Sequence, residues 1–266
     1  MARDDPRPGP GEREGEGEGD SLPFLMLVPN MVTTLGLCAG LTAIRFVMGG
    51  QFTLAVWLIL FSVLIDGLDG LIARRLGAAS DFGAQLDSLS DFLNFGVAPG
   101  LLVYQMALAQ SEKAGGWIFV LVFAACCCMR LARFNVAKRR AEDSGEQVAV
   151  KHFTGVPAPA GALLALLPVF ISFETGLRLA DHPLPVELWL ALVGALMVSR
   201  LPTFSPKSIR VPRERTGLIL IALALLVGLL LAAFWRMLVL IILLYCLTLL
   251  HSFFRNVLAP RLGRRR

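Results

Sequence analysis

Long apolar runs almost free of charge constrain this chain more than any other feature of it. A helix crossing a bilayer core needs roughly 20 mostly apolar residues. Stretches near 30 to 48, 52 to 74, 84 to 109, 116 to 136, 157 to 174, 185 to 200, 217 to 234 and 236 to 254 each read as a span. None shows the period-two alternation of a barrel strand. With 56% hydrophobic against 17% charged residues, an ordinary soluble domain is excluded. The expected class is an all-α integral membrane protein of eight spans. In the last pair Trp235-Arg236 leaves a very short connection, which also fits one bent hairpin.

Connecting charges give an independent check on that count. Arg74 and Arg75 follow the second span, Lys138, Arg139, Arg140 and Lys151 the fourth, and Arg200, Lys207, Arg210, Arg213 and Arg215 the sixth. Arg255, Arg261, Arg264, Arg265 and Arg266 sit in the tail. Alternate connections carry almost nothing positive: Gly49-Gly50-Gln51 has none, and the next two have only Lys113 and Arg178. Positive residues stay on the cytoplasmic side, so an even number of spans puts both termini there, in a bacterial-type inner membrane.

Residues 1–21 are rich in Gly, Glu and Pro and bury too little apolar surface to order, so a disordered leader is expected. The membrane core is expected over 22–201, with a further helix pair and basic tail over 202–266. Cys38, Cys126, Cys127, Cys128 and Cys246 all lie in apolar stretches without zinc-type spacing and read as packing residues. The net charge of +5 belongs to span-flanking residues, not to a nucleic-acid motif.

Ionisable groups inside spans are costly, and here four aspartates fall near the facing ends of two neighbouring helices. Asp66, Asp69, Gly70, Ala73 and Arg74 follow helical steps that place them on one face. Gly83, Asp87 and Asp91 share a face in steps of four. The short connection makes the helices antiparallel and lets the acidic faces meet near the cytoplasmic surface. Four carboxylates there repel unless cations neutralise them. Oxygen donors without His or Cys favour a hard ion, Mg or Mn, with Ca admitted by the same donor set. Gly70 and Gly83 leave room for a bulky ligand, and Arg74 offers a fixed charge to a phosphate.

Asp66-x-x-Asp69-Gly70-x-x-Ala73-Arg74, followed by Gly83-x-x-x-Asp87-x-x-x-Asp91, resembles the signature of the CDP-alcohol phosphatidyltransferase family. The resemblance covers the first six spans and implies a six-helix core to which the last two spans are an addition. It implies that Asp66, Asp69 and Asp87 hold metal, and that Asp91 both completes the metal site and acts as the base on the acceptor hydroxyl. Gly70, Ala73, Arg74 and Gly83 would contact the CDP group of CDP-diacylglycerol. It also implies a homodimer.

Three further blocks resemble bacterial type II phosphatidylserine synthases: Phe82 to Asp91 with Phe95-Gly96-Val97-Ala98-Pro99, Arg130 to Asn135, and Phe153 to Pro159. The Pro29 to Thr33 segment resembles the start of their first span, with Asn30 and Thr33 facing the nucleotide or diphosphate. Serine brings a carboxylate, and Arg130, Arg133, Asn135 and Lys151 are candidates to hold it. A cationic pocket argues against choline but admits glycerol 3-phosphate or an inositol phosphate as well as serine. The choice of serine rests on the resemblance.

Plainer accounts exist for each feature. The aspartates could form a helix-end ion-pair network with Arg74 and Arg75, and Arg130 and Arg133 could snorkel to anchor a helix end. A cation or proton transporter would also keep acids in its spans, but it calls for broken helices in two related halves, and neither is visible.

Overall fold

The computed structural model describes residues 24–76, 80–109, 115–143, 153–199, 202–203, 225, 228–229 and 232–254. Helices α1 (Phe24–Met48) and α2 (Phe52–Leu76) form an antiparallel hairpin closed by Gly49-Gly50-Gln51. Gly50 takes φ +72°, a left-handed conformation that glycine adopts without a Cβ clash. Arg45 is exposed in the last turn of α1, where a cation complements the carbonyl end of the helix. That gives a residue otherwise puzzling in an apolar run a helix-end role.

The third span begins as α3 (Asp81–Asp91), capped by Ser80, whose Oγ accepts from the Gly83 N–H at 3.0 Å. It continues through a π-helical segment (Phe92–Val97), α4 (Ala98–Val103) and a second π-helical segment (Tyr104–Leu108). Pro99 sits just inside α4 and has no N–H to give, and the wide turns flank it on both sides.

Helix α5 (Gly116–Asp143) runs several residues past the expected end of its span, so Lys138, Arg139 and Arg140 ride on helix instead of loop. The fifth span divides into α6 (Ala158–Ala165) and α7 (Leu167–Thr175) because Pro168 cannot donate to the Leu164 carbonyl. The Trp189 indole N–H takes over that acceptor at 2.7 Å from α8 (Pro183–Val198). Helix α9 (Phe234–Phe253) starts after a non-helical Ala233, which places the break one residue before Phe234.

A short clasp ties two connections together. Strands β1 (Phe153–Thr154) and β2 (Pro202–Thr203) pair antiparallel, Phe153 opposite Thr203. Gly155 follows with φ +87°, where a Cβ would lie 2.6 Å from Met197 O and 2.7 Å from Ser199 O. The Phe153 to Pro159 block therefore grips the end of α8, and its glycine answers to backbone approach.

The core is built where α5 meets α8 and where α1 meets α2 and the third span, around Phe95, Leu102, Phe123, Phe170 and Leu190, all fully buried. Cys127 packs against Gly96 and Cys126 against Gly194; all five cysteines are free, but Cys38 and Cys128 are exposed, so the expected packing role does not extend to them. At the far end from the aspartates, Trp235 of α9 packs 4.8 Å from Phe173 and 5.7 Å from Trp57, and Arg236 Nε donates to Glu174 at 2.8 Å. Large apolar side chains such as Leu35, Leu64, Ile118, Leu121, Leu244 and Leu247 stand exposed along the helices. A bilayer supplies the apolar surroundings that these faces require.

Among the described residues five helices are long and apolar enough to cross a membrane: Leu27–Met48, Phe52–Ile72, Gly116–Arg140, Ala158–Thr175 and Phe234–Phe253. The protein is thus helical and multi-pass. The expected spans at 84 to 109 and 185 to 200 correspond to the interrupted third helix and to the shorter apolar α8. Two thirds of the expected span at 217 to 234 lies outside the described residues, as do the whole of the leader 1–21 and the basic tail.

Candidate active site

The α2–α3 hairpin brings the two acidic faces together as their spacing predicts. Asp66, Asp69 and Asp87 each offer a carboxylate oxygen, and these three atoms lie within 4.8 Å of one another. Asp91 lines the same cavity as these three. Asp69 is the most buried of the first three. Asp69 lies seven residues before the end of α2, and Asp87 six after the start of α3. At 1.5 Å per residue each is about 10 Å inside the hairpin turn.

Helix α1 forms the third wall. The Thr33 hydroxyl donates to Asp69 Oδ2 at 3.0 Å and is shared with the Pro29 carbonyl at the same distance. Asn30 lies against the start of α3: a Cβ on Gly83 would meet Asn30 Oδ1 at 2.6 Å and Ser80 Oγ at 3.1 Å. Gly83 is therefore required by close helix approach as well as by any ligand. At Gly70 a Cβ would meet nothing within 4 Å, so this part of α2 is open. Ala73 and Arg74 continue α2; their side chains, like Lys151, lie outside the described residues.

Helix α5 forms the cationic wall. Arg130 is half-buried and interacts electrostatically with Asp91 and Asp66, with its guanidinium 5.6 Å from the Phe134 ring centre. Asn135 Nδ2 donates to Ser88 Oγ at 2.8 Å and ties α5 to α3 between Asp87 and Asp91. Arg133 turns elsewhere: its Nη1 donates to the Val198 carbonyl at 2.6 Å and caps the end of α8. The pairing of Arg133 with Arg130 at one pocket is thus corrected. One turn of spacing put both near the same helix end, but the open carbonyls of α8 take Arg133. Lys138, not singled out in the sequence, faces Asp87 from the same helix.

Beneath the carboxylates the cavity continues between Thr33, Gly36, Ser62, Ile65, Ser90 and Asn94. Sequence reasoning missed this inner end. Helical spacing held the signal, since Ser62 lies four residues before Asp66 and Asn94 three after Asp91.

Three convergent carboxylates fit a hard divalent ion; among the described residues no nitrogen or sulfur donor accompanies them in the cluster. Charge is laid out as a phosphate-transfer site requires, with acids to hold cations, a further carboxyl able to accept a proton, and a fixed guanidinium opposite.

Residues 26–198 match the family model described as CDP-alcohol phosphatidyltransferase. A Mycobacterium tuberculosis protein named CDP-diacylglycerol–serine O-phosphatidyltransferase is 39% identical over 205 residues, 76% of this chain and 69% of that protein. Proteins of the same name from Helicobacter pylori and Methanocaldococcus jannaschii are 34% and 36% identical, covering 68% and 66% of this chain and 73% and 72% of theirs. A solved structure of Mycobacterium tuberculosis phosphatidylinositol phosphate synthase aligns with TM-score 0.44 and 21% identity, over 65% of this chain and 83% of that one.

Proposed function

This chain belongs to the CDP-alcohol phosphatidyltransferase family, and from that premise we propose that it transfers the phosphatidyl group of CDP-diacylglycerol to the hydroxyl of L-serine. The products are phosphatidylserine and CMP. The observation that carries this reading is the convergence of Asp66, Asp69 and Asp87, with Asp91 lining the same cavity. The names of the relatives support serine as acceptor.

In this reading the serine oxygen attacks the phosphorus that bears diacylglycerol. A new P–O bond forms, the P–O bond to CMP breaks, and the hydroxyl proton passes to Asp91. Asp66, Asp69 and Asp87 would hold Mg or Mn, which when bound neutralises the diphosphate and the departing CMP. Open space at Gly70 admits the nucleotide diphosphate, with Asn30, Thr33, Ala73, Arg74 and Gly83 around it. Arg130 takes the serine carboxylate, and Asn135, fixed on Ser88, borders it.

Residues 22–201 then form the catalytic core and 202–266 an addition that docks through α9. The alternating loop charges favour eight spans with both termini and the active site at the cytoplasmic face of the inner membrane. The homodimer rests on family resemblance alone.

Purified protein supplied with CDP-diacylglycerol and Mn or Mg should release CMP when serine is added, and chelator should stop it. Release with glycerol 3-phosphate, an inositol phosphate or choline instead would keep the chemistry and discard serine. No release with any alcohol would remove the catalytic reading.

Arg130→Ala should raise the serine KM by about 10- to 100-fold, the range for losing a charge-assisted hydrogen bond of about 1.5–3 kcal/mol. Arg133→Ala should leave that KM unchanged and lower thermal stability, because it uncaps α8. Equal KM effects from both variants would contradict this division of roles.

A further inference from the structure

Hydroxyl side chains inside these helices have a default partner, the carbonyl four residues back. Thr34 bonds Asn30 O, Thr42 bonds Cys38 O and Ser88 bonds Ala84 O, all within 3.0 Å, and Ser62 keeps Leu58 O at 3.0 Å while also reaching Gly36 O of α1 at 3.3 Å. Ser90 departs from that pattern. Its hydroxyl reaches across to the Thr33 carbonyl on α1 at 3.5 Å, while its oxygen accepts from Asn94 Nδ2 at 3.2 Å.

Asn94 is an unusual residue for this place. It is 3% exposed, and its Oδ1 has no hydrogen-bond partner. It fits against α1 only because Gly40 has no side chain: a Cβ there would overlap Asn94 Oδ1. A Cβ on Gly36, one turn earlier, would meet Ile65 Cγ2 of α2 at 3.2 Å and Asn94 Nδ2 at 3.7 Å. A buried carbonyl left unpaired works against stability, so packing alone does not account for an amide here. The amide occupies the inner end of the same cavity that the carboxylates line.

We propose that Asn94 is a positioning residue for the metal-binding carboxylates, acting through Ser90 and Thr33 on Asp69. Its amide N–H occupies the Ser90 oxygen and leaves the Ser90 proton for Thr33 O. Thr33, held on that side, gives its own hydroxyl to Asp69 Oδ2. The relay joins α3, α1 and α2 and sets the distance between Asp69 and Asp87, which come from different helices. Without Asn94, Ser90 relaxes to its default acceptor, Leu86 O, and Thr33 loses its tie to α3. The inference rests on the reading of the carboxylates as a metal site.

The test measures Mn binding directly, by electron paramagnetic resonance of free Mn in titrations of the detergent-purified full-length protein without substrate. Asn94→Ala should weaken Mn on the order of tenfold, as disturbing an outer partner of a metal ligand does. Its thermal midpoint without metal should stay unchanged or rise. Ser90→Ala should weaken Mn similarly, and the double variant no further than either single, since both cut one relay. Ser90→Ala decides the matter if Asn94→Ala does not fold. Wild-type affinity in the folded variants, or a loss of affinity only in step with lost metal-free stability, overturns the proposal. A wild-type protein that binds no Mn overturns the metal reading itself, and this inference with it.

Discussion

Asp91→Asn is expected to abolish serine-dependent CMP release while CDP-diacylglycerol still binds. The amide keeps the size and the hydrogen-bonding reach of the carboxyl but cannot accept the proton that leaves the attacking hydroxyl. Loss of a general base costs about 10²- to 10⁴-fold in rate. Asp91 stands outside the set of three oxygens that lie within 4.8 Å, so removing its charge leaves that set complete. The check is CMP release at saturating serine beside a separate titration of CDP-lipid binding. Lost binding would make Asp91 chiefly a metal ligand, and retained turnover would end its role as the base.

Asp69→Asn should be as damaging by a different route. Asp69 is the least exposed residue of the three; it commits Oδ2 to the Thr33 hydroxyl and also accepts a hydrogen bond from the Gly70 N–H. An amide removes the charge and places an NH₂ group on one side, where it faces either the Thr33 hydroxyl or the cation. Loss of a charged ligand exceeds the roughly 10- to 100-fold effect of disturbing an outer partner. Activity at ordinary Mg should vanish, raised Mn should restore part of it, and CDP-lipid binding should fall with it. Mn titrations of CMP release compare the variant with wild type; an unchanged midpoint would remove Asp69 from the metal site. The two aspartate variants are thereby told apart, one losing turnover alone and the other losing metal and ligand together.

Much of the site was legible because helices impose a period. Asp66 and Asp69 at a step of three, and Asp87 and Asp91 at a step of four, define helix faces by their spacing alone. Their short connection forces those faces toward each other, and the hairpin of α2 and α3 bears this out. Arg130 and Asn135 do reach the site, whereas Arg133 does not. No local rule separates the two arginines, since the difference is made by α8, whose last carbonyls lie 65 residues further along the chain.

The apolar runs, the loop charges and the aspartate spacing by themselves determined a helical membrane protein with an acidic cluster built from two neighbouring helices. These are local properties, set by burial of backbone groups in lipid and by the helical repeat. Tertiary structure alone decided the rest. It set the cluster about 10 Å inside the hairpin turn, gave Thr33 to Asp69, and placed a buried amide from a π-helical segment against two glycines of α1. It also turned the Gly155 block into a clasp on α8. Each depends on which helices pack and how closely, and that distance follows from side-chain volumes and polar partners brought together from remote parts of the chain.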